Sequence, residues 1–457
     1  MTPRFSIRYV GVIQALIAAA WLSAATGCFS EKSFPLSADD VVRVSPDGGA
    51  DAKRSTRTWL RAAHQRLENL LPTGPDVLLT EDLVGADGRP IDVLAHFNVR
   101  PDQLNSLFCN FLGLLHTAQA SATDDVDKPA AAPWPGFEDV WIPVADGVEL
   151  AGRLAFAEGP GGRRPADCIV ILPGMLGDNA VQRTFDLATG LRAMGFHVLA
   201  LELRGHGATD ERYPEVYYTF GVIEAGDLMA VSEWLEKLPE VRRTGLVGFC
   251  YGANQALLAA WNDGRPGGDA IIPPELEGRL RPVSPARHFE AGIIAFSPVL
   301  RFEEIVDDLK SPQPFSRRPL LATLQDTIRV RMERKKHPRI VGDLELLMRF
   351  ECAGTVLSYP NAYEESLQFL RFLPHRGKPS GRKLQSARVP VLIVSAANDP
   401  LTSAQYVAQL IARTDNPHVA AVVLPGGGHV GFAPYARRYY FSLIVNYFRR
   451  TTGATRP

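Results

Sequence analysis

The chain has 457 residues, 49 Lys and Arg against 50 Asp and Glu, 46% hydrophobic residues and five cysteines. That length predicts two or three structural units and allows a large core. A net charge of −1 excludes a protein that works by gripping nucleic acid through a basic excess. The 39 glycines and 35 prolines follow no repeat, which excludes collagen and solenoids, and the apolar content excludes a disordered chain.

Residues 1–30 read MTPRFSIRYVGVIQALIAAAWLSAATGCFS. Arg4 and Arg8 are followed by a largely apolar run from Tyr9 to about Ala25, then by small residues before Cys28. This is the layout of a secretory signal and is too short and wrongly flanked for a transmembrane helix. Ala25-Thr26-Gly27-Cys28 resembles a bacterial lipobox, although such boxes favour Leu where Ala25 stands. The resemblance implies cleavage after residue 27 and acylation of Cys28. An ordinary cleaved signal with an incidental Cys28 is the plainer alternative. Either way the mature chain is expected outside the cytoplasm, with a net charge of −3 once two Arg are removed. In an oxidising compartment Cys109, Cys168, Cys250 and Cys352 would allow three pairings. If Cys250 is instead a nucleophile, the remaining three cannot all pair with one another. No Cys/His spacing suggests a metal, and no cofactor is expected.

Residues 28–136 are expected to form a tether and a helical accessory region. Trp59, Leu60, Ala63, Leu67 and Leu70 give a helical pattern within Ser55–Leu71. Leu104, Leu107, Phe108, Phe111, Leu112 and Leu115 give a second one behind Pro101, a helix starter. That stripe fits packing on the main domain better than contact with lipid. The acidic, Pro- and Ala-rich stretch 121–136 reads as a linker.

From residue 137 strands alternate with helices. DVWIPVADGVELAGRLAFA predicts a hairpin turning at Asp146-Gly147. Apolar runs at 168–174, 197–205, 244–249, 291–298, 389–396 and 419–425 predict buried parallel strands. Helices are expected over 179–194, from about Asp227 to Leu238, and over Ala253–Trp261. The pattern implies right-handed crossovers, an α/β class and a mostly parallel sheet flanked by helices. The charged, helical sequence of about 299–388 interrupts it and reads as an inserted cap. Arg329, Arg331, Arg334, Lys335, Lys336 and Arg339 make a basic run there, more simply a solvated face than a contact for anionic lipid.

Gly248-Phe249-Cys250-Tyr251-Gly252 sits between a strand and a helix, the context of a nucleophile elbow. Such a turn strains its central residue, so the positions two before and two after must lack bulk. Cys250 would be the nucleophile, a thiolate being activated by a neighbouring His and a helix N-terminus. The alternative is a buried Cys flanked by glycines by chance. Asp399 and His429 follow the last two predicted strands, giving the chain order nucleophile, acid, base. His429 would act as general base and acid, and Asp399 would orient it. The backbone N–H groups of Met175, in Leu172-Pro173-Gly174-Met175-Leu176-Gly177, and of Tyr251 would form the oxyanion hole. His206, in Arg204-Gly205-His206-Gly207, competes for the role of base but reads more simply as a turn element.

Across roughly 137–450 the chain resembles the α/β-hydrolase superfamily. The PGMLG loop, Asp399-Pro400 and Gly426–Phe432 are similar to its YheT-like branch, which includes esterases and lipases. The RGHG loop looks more like monoacylglycerol lipases or S33 peptidases. Both groups carry Ser at the elbow, and many members have His where Pro173 stands. GFCYG is similar to the Cys elbows of dienelactone hydrolases and polyhydroxyalkanoate synthases. Their second glycine after the variable residue is replaced here by Ala253. The resemblance implies a membrane-anchored hydrolase of carboxylic esters or thioesters, taking a small acyl-ester or lipid substrate and no nucleic acid. An acyltransferase on the same chemistry, or a non-catalytic surface lipoprotein, are the alternatives. The intact order of acid and base argues against the last.

Overall fold

A computed structural model describes residues 33–44, 55–72, 77–80, 133–175, 179, 181–266, 280, 286–303, 371–374 and 382–451. The expectations for residues 1–27, Cys28, the 101–115 stripe, the basic run, Cys109 and Cys352 lie outside these residues, as does most of the expected cap.

The sheet runs in the order β1-β11-β10-β9-β8-β6-β7-β3-β2. Its strands are β1 (Leu78–Leu79), β2 (Glu138–Pro143), β3 (Glu149–Ala155), β6 (Ala166–Leu172), β7 (His197–Leu201), β8 (Val241–Phe249), β9 (Gly292–Phe296), β10 (Val391–Ala396) and β11 (Val419–Leu424). A small separate hairpin pairs β4 (Glu158–Gly159) with β5 (Gly162–Arg163). The six strands from β11 to β7 are mutually parallel; β1, β3 and β2 join antiparallel at the two edges. The hairpin of β2 and β3 turns as expected at Asp146 and Gly147, which take φ values of 63° and 72°. Paired left-handed residues suit the twist of a tight antiparallel turn.

The parallel strands β6, β7, β9, β10 and β11 are buried at every position, which is why they read as unbroken apolar runs. One face of the sheet is covered by α4 (Glu224–Glu236), α5 (Tyr251–Gly264) and α6 (Ala404–Arg413). The other is covered by α1 (Thr56–Leu67), α2 (Gln182–Ala193) and α7 (Phe432–Thr451). A short helix, α3 (Gly207–Arg212), follows β7.

Two features come from the region before residue 137. Helix α1 forms where the pattern predicts it, capped by Ser55 Oγ, which accepts the Thr58 N–H. Trp59, Leu60, Ala63 and Leu67 are buried against α7 and the sheet, each large side chain contributing roughly 1.5–3 kcal/mol. Residues 33–44 form an extended strap along α2 and α7. Asp186 of α2 accepts Ser33 Oγ at 2.9 Å and the Phe34 N–H at 2.6 Å. Farther along, Val42 N–H donates to Ser442 Oγ at 2.9 Å, and Asn446 brackets Val42 and Val44 through their backbone groups. With β1 on β11, part of this region thus shares the core of the sheet.

The ends of the expected cap insertion are also in the core. Phe302 and Phe372 are buried, and Glu303 pairs with Arg371 across the base of the insertion.

Candidate active site

The site is assembled at the carboxyl edge of the parallel strands. Strand β8, fifth of the nine in order, runs directly into α5 through Cys250, whose φ of 53° and ψ of −114° are those of a strained turn. The glycines explain how the turn is possible. A methyl group on Gly248 would stand 2.2 Å from the Gly252 carbonyl oxygen, and one on Gly252 would stand 2.3 Å from that of Pro173. Cys250 N–H donates to Phe296 O at 2.9 Å, fixing the elbow to β9. The residue is only partly exposed and is a free thiol at the N-cap of a 14-residue helix, an end that favours negative charge.

Asp399 and His429 converge on the same edge from the loops after β10 and β11. His429 Nδ1 lies 3.1 Å and 3.0 Å from the two Asp399 carboxylate oxygens. The Cys250 side chain lies near enough to the imidazole to raise its basicity. With Nδ1 committed to Asp399, Nε2 is the nitrogen left to serve the sulfur. Burial by itself would lower the basicity of His429. The charge and hydrogen bond of Asp399, with the neighbouring Cys250, outweigh it and lift the pKa to about 10. His429 therefore holds a proton more readily than an ordinary histidine.

The acid is held firmly. Asp399 Oδ1 accepts the N–H groups of Leu401 and Thr402 at 2.8 Å and 2.9 Å, and Oδ2 accepts Thr402 Oγ1 at 2.8 Å. Neighbouring Asn398 accepts the Gly428 N–H at 2.9 Å. The base loop is itself unusual: Gly427, Gly428 and Val430 have φ values of 123°, 55° and 61°. For β-branched Val430 this is a genuine outlier, held in place by a turn that aims His429 at Cys250.

Met175 and Tyr251, expected as the oxyanion donors, flank Cys250 from the loop after β6 and the start of α5. A methyl group on Gly174 would approach Cys250 Cβ to 3.3 Å and Sγ to 3.9 Å, so the Met175 peptide begins directly against the nucleophile. The Tyr251 side chain lies in an aromatic cluster with Tyr218, Phe220 and Phe302. Burial, with the nearby Tyr218 and Cys250, pushes its hydroxyl well above the ordinary tyrosine range, which suits a packing role for the side chain.

The structure takes His206 away from this group. His206 Nδ1 is hydrogen-bonded to Arg204 O at 2.7 Å, and its ring stands edge-on to Tyr218. Arg204 in turn makes a buried two-pronged pair with Asp227 of α4 at 2.5 Å and 2.9 Å. The RGHG loop is thus a structural corner. Cys168 is a buried free thiol in β6, and burial beside Asp167 pushes its pKa far up, which leaves it inert.

Three contributors to the site escaped the sequence reading: Asn398, Thr402 and Glu202. Glu202 Oε1 accepts the Asn179 N–H at 3.2 Å, and Oε2 accepts that of Ala208 at 2.6 Å, so it ties the loop after β6 to the start of α3. The turn that carries Thr402 has a local signal, since an Asp side chain commonly accepts the backbone N–H two residues on, here that of Leu401. Asn398 and Glu202 act across the fold and leave no local pattern.

The sequence pattern of the alpha/beta hydrolase family matches residues 169–439, and the chain belongs to that family. Its fold is similar to that of an esterase from Pyrococcus furiosus, at 18% identity over 71% of this chain and 98% of the other, with a TM-score of 0.45. It is also similar to a 2,6-dihydroxy-pseudo-oxynicotine hydrolase, at 17% identity over 69% of each chain and a TM-score of 0.44. The alpha/beta hydrolase GrgF from Penicillium sp. sh18 aligns at 18% identity over 70% of this chain and 99% of its own, with a TM-score of 0.42. No curated protein matches the chain in sequence. Among the described residues no helix is long and apolar enough to cross a membrane.

Proposed function

We propose that this α/β-hydrolase is an exported, lipid-anchored hydrolase of carboxylic esters or thioesters, working through a Cys250–His429–Asp399 triad and an acyl-enzyme. The observation that carries the reading is the bracketed imidazole. Both Asp399 oxygens hold Nδ1 while the same ring lies beside Cys250 at a strained elbow. The likeness of Gly426–Phe432 to the YheT-like branch supports an ester or thioester as substrate. The anchor rests on the lipobox-like residues 25–28.

In the first half-reaction the Cys250 thiolate adds to the acyl carbonyl carbon. The carbonyl electron pair moves onto oxygen, where the N–H groups of Met175 and Tyr251 receive it, each such donor being worth roughly 3–4 kcal/mol of barrier. Collapse breaks the bond to the leaving alkoxide or thiolate, which takes the proton from His429 Nε2. In the second half His429 removes a proton from water, and the oxygen attacks the thioester carbonyl. Collapse releases the carboxylic acid and restores the resting pair. Asp399 keeps the ring in register and stabilises its charge throughout without taking a proton.

The test is turnover of p-nitrophenyl esters and acyl thioesters by the wild type, Cys250→Ala and Cys250→Ser. Activity should vanish in Cys250→Ala, and equal turnover there and in the wild type would end the triad reading. An acyl group trapped on Cys250, with product appearing only when an alcohol or amine is added, would assign acyl transfer instead. For the anchor, Cys28→Ala should move the protein from the membrane to the soluble fraction.

A further inference from the structure

The strap of residues 33–44 has a direction. Helices α2 and α7 each follow a parallel strand, so both begin at the carboxyl edge of the sheet, where the site lies, and run away from it. The strap meets Gln182 and Asp186 in the first turns of α2 through Ser33 and Phe34. It then passes Gly190, where a methyl group would stand 2.8 Å from Leu36 Cβ. It reaches Ser442 through Val42 and Asn446 through Val44. The chain therefore enters at the catalytic edge and descends. The start of α2 itself reaches the elbow strand, since Arg183, beside Gln182, lays its guanidinium 4.9 Å from the ring centroid of Phe249. Phe249 directly precedes Cys250.

Cys28 is five residues before Ser33, a reach of at most about 17 Å. Beyond its kink at Ala436, helix α7 runs for 15 residues to Thr451, which gives the body a depth of about 22 Å beneath the catalytic edge. A lipid on Cys28 is therefore too short a leash to bring the opposite edge to a bilayer while the strap stays docked. We propose that the anchor holds the catalytic edge against the membrane, so that the substrate is an acyl ester lying in the bilayer surface rather than one dissolved in water. This rests on the lipid-anchored hydrolase reading and adds the orientation of the site and the phase of its substrate. The buried Asp186 carboxylate, which also accepts Gln182 Nε2 at 2.9 Å, is the clasp that sets the orientation.

The test compares two tethered forms of the full chain on vesicles of phosphatidylethanolamine and phosphatidylglycerol. One is the natively lipidated protein. The other is Cys28→Ala with a C-terminal histidine tag, held by nickel-chelating lipid, which tethers the body from the far end of α7. Both forms receive p-nitrophenyl palmitate embedded in the vesicles and p-nitrophenyl acetate in water. The native form should hydrolyse the embedded ester on the order of tenfold faster, at equal surface density and with equal acetate turnover. Asp186→Ala in the native form should erase much of that advantage and leave acetate turnover unchanged. Equal rates on the embedded ester, with equal acetate turnover, overturn the orientation alone. Failure of both forms on acetate defeats the hydrolase reading, and membrane retention of untagged Cys28→Ala defeats the anchor; either result takes this proposal with it.

Discussion

Asn398 Oδ1 accepts the N–H of Gly428 at 2.9 Å. Each residue stands immediately before a member of the proposed triad, Asn398 before Asp399 and Gly428 before His429. This single bond therefore registers the acid loop against the base loop. Asn398→Ala should lower kcat on p-nitrophenyl acetate on the order of tenfold with little change in KM, because a small misplacement of His429 is felt in the transition state. An unchanged kcat would show that the Asp399–His429 contact alone sets the geometry.

The two histidines proposed from sequence should separate cleanly. His429→Ala should reduce kcat by about a thousandfold or more. His206→Ala, which loses a hydrogen bond to Arg204 O and an edge contact with Tyr218, should keep kcat within about threefold and lower stability by roughly 1–2 kcal/mol. Urea unfolding and steady-state kinetics on the same preparations distinguish the two effects.

The pH profile tests the ion pair. With the His429 pKa at about 10, kcat/KM should decline on the alkaline side near pH 10, where the imidazolium is lost, and not near the ordinary histidine value of 6.5. Since the folded pKa is raised, the stability from this pair is fully present below pH 6.5 and is lost as pH rises through about 10. Cys250→Ala removes one of the two neighbours that raise the His429 pKa and should move the loss of stability to lower pH.

His288 offers a second titration, away from the site. Burial would lower its pKa, but the hydrogen bond and charge of Asp263 at 2.7 Å, with Glu233 at 3.4 Å and Glu236 nearby, raise it. The contact joins the end of α5 to the segment before β9. Its stabilisation is complete below pH 6.5 and disappears as pH climbs through the raised value. Melting temperatures of wild type and His288→Ala should converge towards alkaline pH; a constant gap would show that packing alone matters there.

The elbow glycines should tolerate nothing larger. Gly252→Ala places a methyl group 2.3 Å from Pro173 O and 2.5 Å from Leu172 O, both backbone atoms that cannot swing aside. A loss of about 3 kcal/mol or more is expected, read as a shift in the urea midpoint. Gly147→Ala meets no atom within 4 Å, although its φ of 72° leaves a smaller cost of roughly 1 kcal/mol.

Most of the catalytic edge was legible because its signals are local. Buried parallel strands read as apolar runs, and the elbow betrays itself through Gly248 and Gly252. The chain order Cys250, Asp399, His429 needs only strand ends to locate it. What was not legible acts at long range. Leu78–Leu79 forms a strand of two residues, too short to show a period, and owes its existence to pairing with β11. The strap is specified by Asp186, Ser442 and Asn446, partners 150 to about 400 residues away. Strain at Val430 likewise follows from the turn around His429, since nothing in a valine announces a left-handed backbone.

The strap has a practical consequence for producing the protein. A chain shortened to residue 45 or beyond, as a leader-plus-tether reading of the N-terminus would suggest, would lose Leu36 and Val44 and uncover the helix surfaces beneath them. It would also leave the Asp186 carboxylate without the Ser33 and Phe34 donors. Such a truncation should express as a sticky, protease-sensitive species. A soluble version that begins between Cys28 and Ser33 should keep the fold intact while dispensing with the leader.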